Sequence, residues 1–227
     1  MILADLINLF YPKTCLHCGN QLHKHEDYLC MFCHSQLAFT AYTDWAGNPL
    51  EKALAGRIPI VQGTALLFFR KQGITQHLIH LLKYKGEETI GAFLGHLLGK
   101  LMAKSKRFKD LDCIIKVPLH PKKLKKRGYN QLTLFAQTLA SHLDIPVIEH
   151  VLVKVKTSET QTRKNRLNRF KEFNEKFRLI AGDAIEGKHI LLVDDVITTG
   201  ATLEACSNEL LKAHNTKISI ATMAVPE

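Results

Sequence analysis

Residues 190–202 read ILLVDDVITTGAT. Four apolar residues run into two adjacent aspartates, Asp194 and Asp195, and then into a turn of small and hydroxylated residues around Gly200. An unbroken apolar run bounded by turn residues is what a strand buried on both faces of a parallel sheet requires. In an open α/β sheet, ligands bind at the carboxyl ends of the strands, and the two aspartates fall at that end. Beyond them, Thr198, Thr199 and Thr202 supply hydroxyls, and Gly200 lets the backbone approach a ligand. N–H groups gather at the start of the helix that follows. Donors, little side-chain bulk and the positive end of a helix dipole make a phosphate cradle. The carboxylates cannot bind the same phosphate, so their natural partners are the hydroxyls of a sugar or a divalent cation. Together the two halves describe a sugar-phosphate site. A strand-turn-helix with no ligand would have no use for two crowded like charges. Neither GxxxxGK[ST] nor GxGxxG occurs in the chain, which removes two other phosphate-binding designs.

Outward from this stretch, strand and helix patterns alternate. GTALLFFR, CIIKVP, HILLVDD and KISIATMAV read as strands. ITQHLIHLLKY, IGAFLGHLLGKLM, NQLTLFAQTLASHL and TLEACSNELLKA carry apolar residues at helical spacing, as at Ile74, Leu78, Leu81 and Leu82. Alternation of this kind predicts an α/β fold with a mostly parallel sheet flanked by helices. Residues 41–61, with Gly47, Pro49, Gly56 and Pro59, read as a connecting arm.

Ahead of the arm, CLHCGNQLHKHEDYLCMFC places Cys15, Cys18, Cys30 and Cys33 as two C-x2-C knuckles eleven residues apart. Each knuckle can turn two thiolates toward one point, and two knuckles complete a tetrahedral S4 site for structural zinc. So short a segment has little apolar surface of its own, and metal binding would supply the missing stability. A disulfide pair is the other reading of four cysteines, and it fits a cytoplasmic chain poorly. His17, His23, His25 and His34 lie close by and read as solvated loop histidines rather than substitute ligands. Cys113 and Cys206 stand in apolar surroundings and read as core packing. The first residues, with Ile2, Leu3, Leu6, Ile7 and Phe10, are expected to form a short packing helix rather than a signal peptide. The expected division is a helix and metal-binding module over residues 1–45 and a second unit over 46–227.

The net charge of +10 favours an anionic partner without choosing between a phosphorylated small molecule and nucleic acid. No apolar run approaches the roughly 20 residues of a membrane helix, so the expected location is cytoplasmic, with no membrane insertion.

The ordered set of motifs resembles a known family. VDDVITTGAT is similar to the 5-phosphoribosyl 1-pyrophosphate (PRPP) signature of type I phosphoribosyltransferases. With the four-cysteine finger, LLKYKG, VPLHPKKLKKRGYNQ and TQTRKNRLNRF in this order, the chain resembles the ComF family, phosphoribosyltransferase-like proteins associated in some bacteria with competence and DNA uptake.

The resemblance implies a type I phosphoribosyltransferase-like domain. Asp194 and Asp195 would hold the ribose 2′- and 3′-hydroxyls, and Thr198, Thr199, Gly200, Ala201 and Thr202 would cup the 5-phosphate. The stretch from Pro118 corresponds to the family's pyrophosphate loop, with Arg127, Gly128, Asn130 and Gln131 as its most recognisable residues. Lys122, Lys123, Lys125 and Lys126 concentrate positive charge there. Thr160, Gln161, Arg166 and Arg169 match a loop that closes over PRPP, although Glu172 stands where the family pattern has asparagine.

The implied activity is transfer of phosphoribosyl to or from a nucleobase or amine, with pyrophosphate as the other product and Mg²⁺ accompanying PRPP. Asp194, Asp195 and Arg127 would carry the catalysis. The alternative is a non-catalytic accessory protein that binds a nucleotide or single-stranded DNA alongside DNA-uptake or repair proteins. Few aromatic residues adjoin the basic segments, Tyr129 and Phe170 being the nearest in sequence.

Overall fold

In the computed structural model, residues 12–155 and 177–227 are described. The expected N-terminal helix and the segment Thr157–Phe170, with Gln161 and Arg166, lie outside the described residues.

The central sheet is parallel throughout. Its strands are β1 (Ile60–Phe69), β2 (Cys113–Lys116), β5 (His189–Val196) and β6 (Lys217–Pro226), in the order β1-β6-β5-β2. The two central strands are the most apolar: Ile190 to Val193, Ile218 and Ile220 are fully buried. Both faces of a parallel sheet must be covered, which explains the absence of alternation in these strands. The expectation of an α/β fold with a mostly parallel sheet and flanking helices holds.

Helices α3 (Ile74–Tyr84), α4 (Thr89–Lys104), α6 (Thr133–Leu143) and α7 (Ala201–Leu210) flank the sheet where their periodicity placed them. Helices α4 and α6 approach so closely that a Cβ at Gly95 would lie 2.9 Å from the carbonyl oxygen of Phe135. A two-stranded antiparallel ribbon, β3 (Leu152–Lys154) with β4 (Phe177–Leu179), stands apart from the main sheet. No described helix is long and apolar enough to cross a membrane.

Residues 41–61 are not the connecting arm that their glycines and prolines implied. They carry helix α2 (Pro49–Leu54), capped by Asn48, whose Oδ1 accepts from Glu51 N at 3.1 Å. The buried Asn48 amide donates to the carbonyls of Trp45 and Gly63 at 3.0 and 2.8 Å, and Leu50 and Leu54 are buried. Pro49 sits in the first turn, where a missing N–H costs nothing. Glu51 accepts from Gly63 N at 2.8 Å and pairs with Arg107. A buried asparagine with three filled positions and a paired glutamate hold this segment against the sheet.

Candidate functional site

Strand β5 delivers Asp194 and Asp195 to its carboxyl end, where they are 9% and 7% exposed. Oδ1 of Asp194 accepts from Asp195 N at 2.8 Å within the last residues of the strand. Asp195 is held on both oxygens. Its Oδ1 accepts from Lys83 Nζ at 2.8 Å and from Val196 N at 2.7 Å, and its Oδ2 accepts from Gln131 Nε2 at 2.7 Å. Gln131 is itself gripped by Arg127, whose guanidinium donates to the amide oxygen.

Past Val196 the chain forms a cup lined by Asp194 and residues 196–203, with a volume of about 30 Å³. Gly200 caps α7 with φ of +77°, a left-handed conformation that favours glycine. A Cβ there would lie 2.8 Å from Leu54 Cδ2 and 3.3 Å from Arg57 Nη1. Part of the need for glycine thus comes from the packing of α2 and the residues after it. Thr198, Thr199 and Ala201 are exposed at the rim, and Thr202 is half-buried.

A second cavity, of about 270 Å³, lies between Lys83, Tyr84 and Gly86 on one side and Lys123, Lys126, Arg127 and Tyr129 on the other. Its lining holds four cationic side chains and no carboxylate. Helix α5 (Pro121–Arg127) presents Lys122, Lys123, Lys125 and Lys126, all exposed. The Arg127 guanidinium lies 5.7 Å from the centre of the Tyr84 ring.

Asp194, Asp195, Thr198–Thr202, Gln131 and Arg127 therefore form one continuous region. Two cations at this region had no assigned role in the sequence. Lys83, within LLKYKG, pairs with Asp195 across 112 residues, and Arg57 donates to the carbonyl of Thr199 at 2.6 Å across 142. The one signal for Lys83 was its place in LLKYKG, next to the buried Leu82 at the end of α3. Arg57 offered none. Tyr84 is 68% exposed beside the lysines, so it is the available ring, whereas the Tyr129 hydroxyl is engaged by the carbonyl of Leu82.

Near the N-terminus, the sulfurs of Cys15, Cys18, Cys30 and Cys33 all lie within 4.8 Å of one another, with no disulfide. Tetrahedral zinc at about 2.3 Å from each sulfur needs S–S edges of about 3.8 Å, and Cys18 and Cys30 are 3.7 Å apart. The donor set therefore fits a zinc finger. Burial pushes the Cys15 thiol up, but the amides of Cys18, Cys30 and His17 outweigh it and bring the thiol down to about 6, into the thiolate form that ligates. Burial and the neighbouring sulfurs push Cys33 well above the usual thiol range.

Cys30 caps helix α1 (Met31–Ser35), which sets the second knuckle on a helical turn. The finger is fastened to the rest of the chain by a 3.0 Å bond from His77 of α3 to the carbonyl of Leu16, and by Tyr28 and His34 against Phe93 of α4. His34 serves as an aromatic contact, and none of the four nearby histidines joins the sulfur cluster. Cys113 and Cys206 are fully buried, as core packing requires.

Residues 133–226 match the phosphoribosyl transferase domain. The chain is 30% identical over 214 residues to Competence protein F of Haemophilus influenzae, covering 89% of this chain and 93% of that protein. It is 30% identical over 138 residues to the DNA utilization protein YhgH of Escherichia coli, covering 60% of each. It is 26% identical over 206 residues to the competence protein ComFC of Bacillus subtilis, covering 88% of this chain and 78% of that one. Among solved structures, adenine phosphoribosyltransferase from Thermoanaerobacter pseudethanolicus has a TM-score of 0.38 at 18% identity, covering 66% of this chain and 85% of the other. Likeness at 30% identity over nearly the whole of a relative's length makes this chain a member of the ComF family of phosphoribosyltransferase-domain proteins.

Proposed function

We propose that this protein binds PRPP and transfers its phosphoribosyl group to or from a nucleobase or amine. The observation that carries this reading is the pair of buried carboxylates, Asp194 lining the small cup at the start of α7 and Asp195 next to it in the chain. In this reading Asp194 and Asp195 take the ribose hydroxyls, and residues 198–202 take the 5-phosphate. Lys123, Lys126 and Arg127 face the diphosphate in the cationic cavity. Gln161 and Arg166 are assigned by family resemblance alone.

The reaction breaks the bond from ribose C1 to the diphosphate oxygen, which leaves with the bonding pair, and forms a C1–N bond to the acceptor. Asp194 stabilises positive charge growing on the ribose, and the cations stabilise the departing anion. Mg²⁺ bound with PRPP would neutralise diphosphate charge. The remainder of the contribution is positioning. The finger's metal is zinc in a structural role, because four sulfurs leave no open coordination position. In this reading residues 1–45 carry the structural finger and residues 46–227 the ligand-binding domain.

Calorimetry with PRPP and Mg²⁺, followed by measurement of pyrophosphate release against a panel of nucleobases, tests both halves. Binding with release supports a transferase, and binding without release supports an accessory role. Absence of binding defeats both. Single-stranded DNA binding is the second reading, favoured by the exposed lysines of α5 around the exposed ring of Tyr84. It also agrees with the DNA-utilization name of the E. coli relative. Filter binding across a salt series tests it.

A further inference from the structure

We propose that Lys83 is a positioning residue that masks Asp195 in the free protein and releases it when an anion enters the neighbouring cationic cavity. This rests on the PRPP reading of the site. Lys83 belongs to two environments at once: its Nζ pairs with Asp195 Oδ1 at 2.8 Å, and its side chain lines the cavity shared with Lys123, Lys126 and Arg127. Asp195 cannot offer both of its oxygens to the hydroxyls of a sugar in this arrangement. Oδ1 already takes Lys83 and Val196 N, and Oδ2 takes Gln131.

For Oδ1 to accept a ribose hydroxyl one of its partners must yield, and the geometry points to the lysine. Gln131 is buried, with its amide oxygen held by Arg127. The Val196 bond is part of the strand end. Lys83 reaches Asp195 on a flexible four-carbon stem from the last turn of α3, with its side chain 23% exposed. Every charged side chain lining the cavity beside it is cationic, so it repels the lysine charge and attracts an anion. Asp195 is the nearby counter-charge until then. A diphosphate in the cavity offers Lys83 a second anionic partner, the lysine turns, and the carboxylate becomes available to the ribose. The two halves of PRPP then bind with positive coupling.

The test uses ribose 5-phosphate and inorganic pyrophosphate, each with Mg²⁺, as separate probes in calorimetry of the full chain. In the wild type, saturating pyrophosphate should tighten ribose 5-phosphate binding roughly tenfold, within the range of ordinary site coupling. Lys83→Met should weaken pyrophosphate, tighten ribose 5-phosphate measured alone, and abolish the coupling. Lys83→Arg should restore the pyrophosphate affinity. Asp195→Asn, which loosens the lysine from the other side, should tighten pyrophosphate while weakening ribose 5-phosphate. A lysine of purely structural importance would weaken both ligands together and leave the opposite signs unseen. If both ligands bind the wild type but coupling is absent, or persists in Lys83→Met, the masking role is wrong and the PRPP reading stands. If the wild type binds neither ligand, both are overturned. If Lys83→Met does not fold, the signs in Asp195→Asn and the wild-type coupling decide.

Discussion

Arg57 joins the cup to the helix behind it. Its Nη1 donates to the carbonyl of Thr199 at 2.6 Å, while Nε and Nη2 hold Glu204 Oε2 at 3.0 and 2.5 Å. One planar guanidinium thus fixes the rim of the turn and the first turn of α7 together, which an ammonium cannot do.

Replacing Arg57 with alanine should therefore loosen the cup more than it loosens the fold. The Arg57–Glu204 pair is about one-third exposed on both sides, so its contribution to stability is about 0–1 kcal/mol. Losing the bond to Thr199, worth about 1 kcal/mol, should weaken PRPP roughly fivefold with little change in melting temperature. Arg57→Lys should behave like the alanine variant. PRPP affinity equal to wild type in both would show that the turn keeps its shape unaided.

Asp194→Asn separates ligand binding from folding. An amide oxygen can still accept from Asp195 N, so the strand end should survive and the melting temperature should hold. The charge-assisted bond to a ribose hydroxyl is lost, at about 1.5–3 kcal/mol, which is about ten- to a hundredfold in PRPP affinity. Calorimetry reads this directly, and an affinity equal to wild type would move the ribose elsewhere.

Purified protein should contain one zinc per chain by elemental analysis, and Cys15→Ser/Cys30→Ser should lose it. Cys15 and Cys33 belong to the same buried cluster as the sheet, and His77 and Phe93 tie the finger to α3 and α4. Chelation should therefore lower the melting temperature of the main transition, beyond loosening the finger, since metal binding is folding free energy. Full zinc in the double variant would reassign the ligands.

His189 sets a pH dependence of stability. It is buried in β5 with Nε2 2.8 Å from Ser219 Oγ, and burial, aided by Lys217, holds its pKa below the usual 6.5 against the opposing pull of Asp110 and Asp112. Below about pH 6.5 the unfolded chain takes up a proton that the folded chain does not, so stability falls as pH drops. Denaturant titrations at pH 7.5 and 5.5 should show this loss, reduced in His189→Gln. An identical difference in the variant would assign it to other groups.

Much of this molecule is written in local pattern. Helix α3 spans the residues whose apolar spacing announced it, β5 is the run ending in Asp194 and Asp195, and the four sulfurs converge as paired knuckles demand. Each of these follows from chain geometry over fewer than about twenty residues: a helical repeat of 3.6, a strand buried on both faces, and two thiolates turned by one tight loop. The cup is legible for the same reason, because strand end, turn and helix start are contiguous.

Tertiary structure alone decided who meets whom. The order β1-β6-β5-β2 brings the ends of distant segments to one edge, so Arg57 reaches Thr199, Lys83 reaches Asp195, and Gln131 arrives on that same carboxylate. Neither lysine nor arginine carries periodicity that could betray such a partner. Residues 41–61 looked like a linker because prolines and glycines mark loops, yet Asn48 and Leu54 are buried and Leu54 packs behind Gly200. Local sequence fixes which groups stand at a strand end. Their protonic and ionic partners depend on long-range packing, where a single buried counter-charge outweighs any propensity of the chain around it.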